Sequence, residues 1–262
     1  MRAPALGVDR TRPVPPARCS IDNEYYEGID ELWWDTDGPA VVLHAINRPR
    51  VDFYLQALGN LRGRVVLDAG CGGGLVAREL AAAGATVVGM DRSGGSLRVA
   101  RRAVGRTGPG TFRPVQGRLE RLPFADEAFQ VVVAADVLEH VPDLPAAMAE
   151  LARVLAPGGS LVFDTINRTG WAWFTAVFGL ERVLRMVPRG THDWRLFIRP
   201  AELDRLCLDA GLRAVSTTGL AARVGPRDVA RGLLLRRPPV LQFATGPDRR
   251  ASYLGHYRKA PA

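Results

Sequence analysis

Three short segments carry side chains able to do chemistry. The first, "AADVLEHV", spaces Asp136, Glu139 and His140 three and four residues apart. On a helix this spacing gathers all three on one face, a carboxylate and imidazole set suited to a divalent cation such as Mg2+. The same residues can instead brace a turn and leave His140 as a proton acceptor. The second, "THDW", contains His192 between Thr191 and Asp193. A histidine oriented by a neighbouring group can act as a base near neutral pH. The third is "VLDAGCGGG", in which Asp68 precedes glycines at 70, 72, 73 and 74. Gly70 and Gly72 allow a sharp turn and close approach of the backbone to a ligand. The helix that follows offers free N–H groups. Asp91, at the end of "ATVVGMD", can accept hydrogen bonds from both hydroxyls of a ribose. Asp68, two positions before the first glycine, stands where the amino acid part of a cofactor could be held.

These residues need a scaffold, and the hydrophobic pattern supplies one. "RVVLDAG", "ATVVGMD", "TFRPVQ", "FQVVVAAD" and "GGSLVFDTI" read as strands, separated by the helices "LVARELAAAG", "SLRVARRAV" and "LPAAMAELARVLA". Short apolar strands alternating with helices indicate βαβ units and a parallel sheet. After the fifth strand the alternation stops at an insertion, residues 166–199. The helix "PAELDRLCLDAG" and the strands "LRAVSTTGL" and "ASYLGHYR" follow. The predicted fold is α/β, a doubly wound, mostly parallel seven-stranded sheet with an amphipathic insertion after the fifth strand. Residues 1–19 read as a disordered Pro/Arg-rich tail, and 20–262 as one domain that begins with helical sequence up to residue 60.

Composition narrows the partners. The net charge is +8, yet Lys259 is the only lysine among 35 basic side chains, so arginine usage across the whole sequence accounts for much of the charge. No dense basic run interleaved with aromatics marks a nucleic-acid groove. Three scattered cysteines suggest neither a disulfide framework nor a zinc site. No run approaches the ~18 apolar residues of a membrane-spanning helix. The expected location is cytoplasmic.

The frame Gly72-x-Gly74-x-x-Ala77 matches an NAD fingerprint, a weak signal when it stands alone. "RLERLPF", "FQVVVAADVLEHV" and "LARVLAPGGSLVF", taken with "VLDAGCGGG", point elsewhere. Together they make residues 60–165 resemble the class I S-adenosylmethionine (SAM) methyltransferases, which are Rossmann-like. Where many relatives carry an acidic residue after the third strand, this chain has Gly117 and Arg118; backbone groups around Leu119 are expected to meet the adenine. Outside the shared core, "WWD…LHAINRPRVDF" and "NRTGWAWFTAVFGLERVLRMVPRGTHDWRLFIRPAEL" are similar to the ubiquinone-biosynthesis O-methyltransferase family. That family methylates phenolic hydroxyls of polyprenylated benzenoid precursors. The resemblance places SAM contacts on Arg50, Gly70, Asp91 and Ala135, with Arg50 suited to a cofactor carboxylate. It differs at Asp136, where the family tends to have Glu.

A phenol has a pKa near ~10, so it needs a base or a cation to react as phenolate. His140 and His192 are the candidate bases; Asp136, Glu139 and His140 are the candidate ligands of a metal that would bridge catechol oxygens. The stretch "WAWFTAVFGLERVLRMV", residues 171–187, is the greasiest in the chain. Read as a helix, it places Trp171, Phe174, Val177 and Phe178 on one side and Glu181, Arg182 and Arg185 on the other. Such a segment suits the interface of an anionic membrane, on the inner face of the cell membrane, or the capture of a lipid tail. A lid over a hydrophobic pocket is the plainer alternative. The reading is thus of a SAM-dependent O-methyltransferase acting on a hydrophobic, polyprenylated aromatic. A methyltransferase of a soluble aromatic product and a non-catalytic membrane-peripheral protein binding SAM or lipid stay open.

Overall fold

The computed structural model describes residues 30–36, 38, 40–105, 108–184, 186–187, 190–223, 225 and 241–261. The tail expected at 1–19, and Arg185 and Arg189 of the insertion, lie outside the described residues. Strands β1 (Val65–Ala69), β2 (Thr86–Asp91), β3 (Thr111–Gln116), β4 (Phe129–Ala135) and β5 (Leu155–Ile166) pair in parallel. Helices α1 (Val41–Leu58), α2 (Leu75–Ala82), α3 (Gly94–Val104) and α4 (Leu144–Val154) lie before and between them, and α5 (Pro200–Asp209) follows the insertion. Successive strand residues point to opposite faces, so two cores form. Val66, Val87 and Val133 join Tyr54 of α1 and Leu80 of α2 on one side. Leu67, Val88 and Val132 join Met148 of α4 and Leu203 of α5 on the other. With helices covering both faces, the central strands read as unbroken apolar runs.

The strand order is β3-β2-β1-β4-β5-β8-β6-β7, where β6 is Leu212–Arg223, β7 Gln242–Gly246 and β8 Ser252–Lys259. β8 runs antiparallel between β5 and β6. The sheet therefore has eight strands, not the seven expected. The addition is β7, a five-residue edge strand antiparallel to β6. Its "QFATG" is only partly covered, so it lacks the apolar run of an inner strand. The order reverses between β1 and β4, and the crevice at the carboxyl ends of these strands is where open α/β sheets bind ligands.

The insertion leaves β5 at Ile166. Thr169 accepts a hydrogen bond from Ala172 N–H at 3.0 Å and starts a single helical turn, which passes into a π-helix over Trp173–Val183. The wide winding stacks Trp173 on Phe178, five residues on, with centroids 6.3 Å apart. Among the described residues, no helix is long and apolar enough to cross a membrane.

Candidate active site

The turn after β1 makes the floor of a cleft. Gly70 N–H and Cys71 N–H both donate to Met90 O, at 2.7 and 3.0 Å, which ties the loop to β2. Gly70 has a φ of 80°, and a Cβ there would lie 2.4 Å from a Val137 methyl. Only glycine fits. Asp91 accepts from Gly72 N–H at 2.9 Å and from Ser93 N–H at 2.8 Å. Each oxygen keeps a lone pair for a ligand hydroxyl. Leu119 and Ala135 complete the walls, so all seven residues expected at the cofactor (Arg50, Asp68, Gly70, Gly72, Asp91, Leu119 and Ala135) line this one cleft.

Two buried groups at its inner end have polar atoms without partners. Arg50 is 3% exposed; its terminal nitrogen donates to Asp164 at 2.8 Å and lies 3.8 Å from Asp136, while its Nε–H has no acceptor. Burial opposes the guanidinium charge, and Asp164 and Asp136 outweigh it, raising the pKa above the ordinary arginine value. Tyr54 Oη donates to the same Asp164 at 2.6 Å and fixes that carboxylate. Asp68, 1% exposed, has no hydrogen-bond partner at either oxygen. Burial pushes its carboxyl up to about 7, against the pull of Arg50. An orphaned carboxylate beside an orphaned guanidinium N–H fits a zwitterionic amino acid group. The donor set therefore fits SAM.

The glycine-loop turn is also covered from above by residues that the sequence reading did not single out. Trp33 donates to Ser96 Oγ at 3.0 Å and its ring lies against the loop, where a Cβ on Gly73 would come within 2.4 Å of it. Trp34 donates to Gly73 O at 3.0 Å. The doublet "WW" before a glycine loop was the available signal.

At the mouth of β4 the structure corrects the metal expectation. Asp136 adopts a φ of 52°, in the left-handed region, and Leu138–His140 form one 3-10 turn, so no helical face collects the three side chains. Glu139 is buried and accepts from Thr165 Oγ1 at 2.8 Å. Burial and the nearby Asp136 push its carboxyl well above the usual range. Among the described residues, no group of three or more His, Cys, Asp or Glu could hold a metal ion. Asp136 and His140 do line the cofactor cleft, and the strained backbone of Asp136 is of the kind found at functional sites. Burial lowers the His140 pKa to about 4, with Asp136 opposing, so the ring is neutral at physiological pH.

Next to Asp136 lies a second cavity of about 620 Å3, lined largely by apolar side chains that include Ile46, Phe174, Phe178 and Leu220. Leu43 and Asp136 line both cavities. His192 lines the second, and its ring centroid is 6.4 Å from that of His140. Its orienting neighbour is neither Thr191 nor Asp193. It is Glu181, whose Oε1 lies 2.8 Å from His192 Nδ1. Glu181 was expected on the headgroup-facing side, yet it is 3% exposed. Arg182 is exposed as expected.

Comparison with known proteins agrees with this geometry. Residues 67–163 match the Methyltransferase domain family. The ubiquinone biosynthesis O-methyltransferase of Alkalilimnicola ehrlichii is 39% identical over 239 residues, covering 90% of each chain. That of Pectobacterium atrosepticum is 43% identical over 196 residues, 74% of this chain and 81% of the relative. Among solved structures, magnesium protoporphyrin IX methyltransferase from Synechocystis, with bound SAH, superposes with a TM-score of 0.60 at 21% identity, over 90% of this chain and 97% of that one. A SAM-dependent methyltransferase from Aquifex aeolicus gives 0.58 at 15% identity, over 87% and 97%. These likenesses show the fold, while the identity to curated relatives over nearly the whole chain shows the family. The chain is thus a SAM-dependent O-methyltransferase and belongs to the ubiquinone biosynthesis O-methyltransferase family.

Proposed function

We propose that the enzyme methylates a phenolic hydroxyl on an aromatic ring that carries a polyprenyl tail, a precursor in quinone synthesis. The observation that carries this reading is the pair of neighbouring cavities that share Leu43 and Asp136: one lined by the glycine loop, Arg50, Asp68 and Asp91, the other lined largely by apolar side chains, many from the insertion. An aromatic head seated at Asp136 would reach the cofactor cleft, with its tail lying among Ile46, Phe174 and Phe178. SAM supplies an electrophilic methyl group on its sulfonium. Arg50 and Asp68 hold its amino acid part, Asp91 its ribose, and backbone groups near Leu119 its adenine. Ala135 and the glycines at 70 and 72 leave room for close approach. Holding the phenol oxygen in line supplies much of the rate. His192 takes the phenolic proton, and neutral His140 orients the hydroxyl beside it.

The insertion also offers the route to such a substrate. Trp171, Trp173, Phe174, Phe178 and Val183 are large apolar side chains left in solvent, each 38–55% exposed. Together with Arg182 they form a surface suited to the headgroup boundary of an anionic membrane, consistent with a peripheral enzyme on the inner face of the cell membrane. The test is product analysis. With SAM and a short-chain prenylated catechol, the account expects a methyl group on oxygen; methylation at carbon, or no product from folded enzyme, would overturn it.

A further inference from the structure

We propose that Glu181 is the positioning residue of the reaction's base, and that through it the insertion helix and His192 act as one unit. This rests on the reading of His192 as the base. The Glu181 carboxylate is buried and accepts two backbone N–H groups from a short segment, Gly190 N–H on Oε2 at 2.8 Å and His192 N–H on Oε1 at 2.9 Å, and the His192 ring Nδ1 lies 2.8 Å from Oε1. Burial would raise its pKa, but the His192 and Gly190 hydrogen bonds hold it below the usual carboxylate range. An ionised carboxylate only accepts, so the ring nitrogen facing it must carry a proton. Nε2 of the neutral ring is then the nitrogen with a free lone pair, as a base requires.

The ring is held from other sides as well. Phe197 meets it edge-on at 6.1 Å. Among the described residues, the titratable groups facing it are His140 from the turn after β4, and Asp136 and Asp164 on the wall of the same cavity. On its own segment, Asp193 is engaged with Arg195 at 2.7 Å. Glu181 itself belongs to the π-helix whose Phe174 and Phe178 line the apolar cavity. Lifting that helix away would break all three hydrogen bonds at once and free the ring to change tautomer. The wall that encloses the tail is therefore also the part that sets the base.

The test compares wild type with Glu181→Gln and Glu181→Asp, using nitrogen NMR of the His192 ring together with kcat and the affinity for SAM. Wild type should show the Nδ1–H tautomer. In Glu181→Gln, kcat should fall about 100-fold, within the usual worth of a general base. Affinity for SAM should stay within a factor of two, and Glu181→Asp should recover part of kcat. A purely structural role would leave the tautomer unchanged, which would overturn the inference. If Glu181→Gln does not fold, an Nε2–H tautomer in wild type overturns it alone. Failure of wild type to methylate a prenylated catechol would sink the substrate assignment only, since the ring's tautomer is read without substrate.

Discussion

Replacing Asp68 by asparagine should have opposite effects on stability and on cofactor binding. The buried carboxyl has no partner, and its pKa rises from the ordinary 3.8 to about 7 because of burial. Between those values the native protein keeps a proton that the unfolded chain has released, so stability falls as pH rises through that window. The interval amounts to about 4 kcal/mol once Asp68 is fully ionised. The substitution removes that charge but leaves a buried amide whose unmade hydrogen bonds cost about 1–3 kcal/mol. Without SAM, Asp68→Asn should therefore be more stable than wild type by about 1–3 kcal/mol at pH 8, and should show no gain at pH 4. Binding runs the other way. On the proposed placement of SAM its ammonium is the partner of Asp68, and losing a charged hydrogen bond of about 1.5–3 kcal/mol would weaken affinity roughly 10- to 150-fold. Wild-type affinity should also drop about tenfold per pH unit below pH 7, where Asp68 must first lose its proton, while the profile of the variant stays flat. Urea unfolding at pH 4 and 8, with titration calorimetry of SAM across that range, measures both. An Asp68→Asn variant that is less stable at pH 8, or that binds SAM as tightly as wild type, would refute the reasoning.

Two further substitutions probe the loop and the insertion. Gly70→Ala meets both a positive φ and the Val137 methyl, so SAM binding should be lost or cut more than 100-fold while the circular dichroism spectrum persists; normal SAM affinity would contradict the loop geometry. Trp173 is exposed yet does not line the apolar cavity, so Trp173→Asp should reduce sedimentation with anionic vesicles several-fold while leaving SAM affinity intact; undiminished vesicle binding would contradict a membrane role for this exposed aromatic side chain.

The inner parallel strands β1, β2, β4 and β5 were legible because they are largely buried and flanked by turn residues. The glycine loop was legible because the residues with positive φ there can only be glycine. β7 was not, since an edge strand that is half in water carries little pattern. The Asp136–Glu139–His140 spacing misled for a local reason: a left-handed residue at Asp136 breaks the helix that the spacing assumes. Glu181 was misread because a charge within an amphipathic run looks solvent-facing, and its burial depends on Gly190 and His192 folding back onto it. The same holds for Trp33, whose place over Gly72 and Gly73 depends on contact with a segment 39 or more residues away in sequence.

The central claim is that the apolar cavity receives the tail of the molecule whose phenol is methylated. Its most direct test is methyl transfer from labelled SAM to a prenylated catechol and to the bare catechol, by wild type and by Ala176→Phe. Ala176 is buried on the cavity wall, so a phenyl group there fills space needed by the tail. The account predicts that wild type prefers the prenylated substrate by at least about tenfold in kcat/KM, since each buried methylene contributes about 0.8 kcal/mol, and that Ala176→Phe removes the preference while sparing the bare catechol. Equal turnover of both substrates by wild type, or a preference that survives in Ala176→Phe, would contradict it.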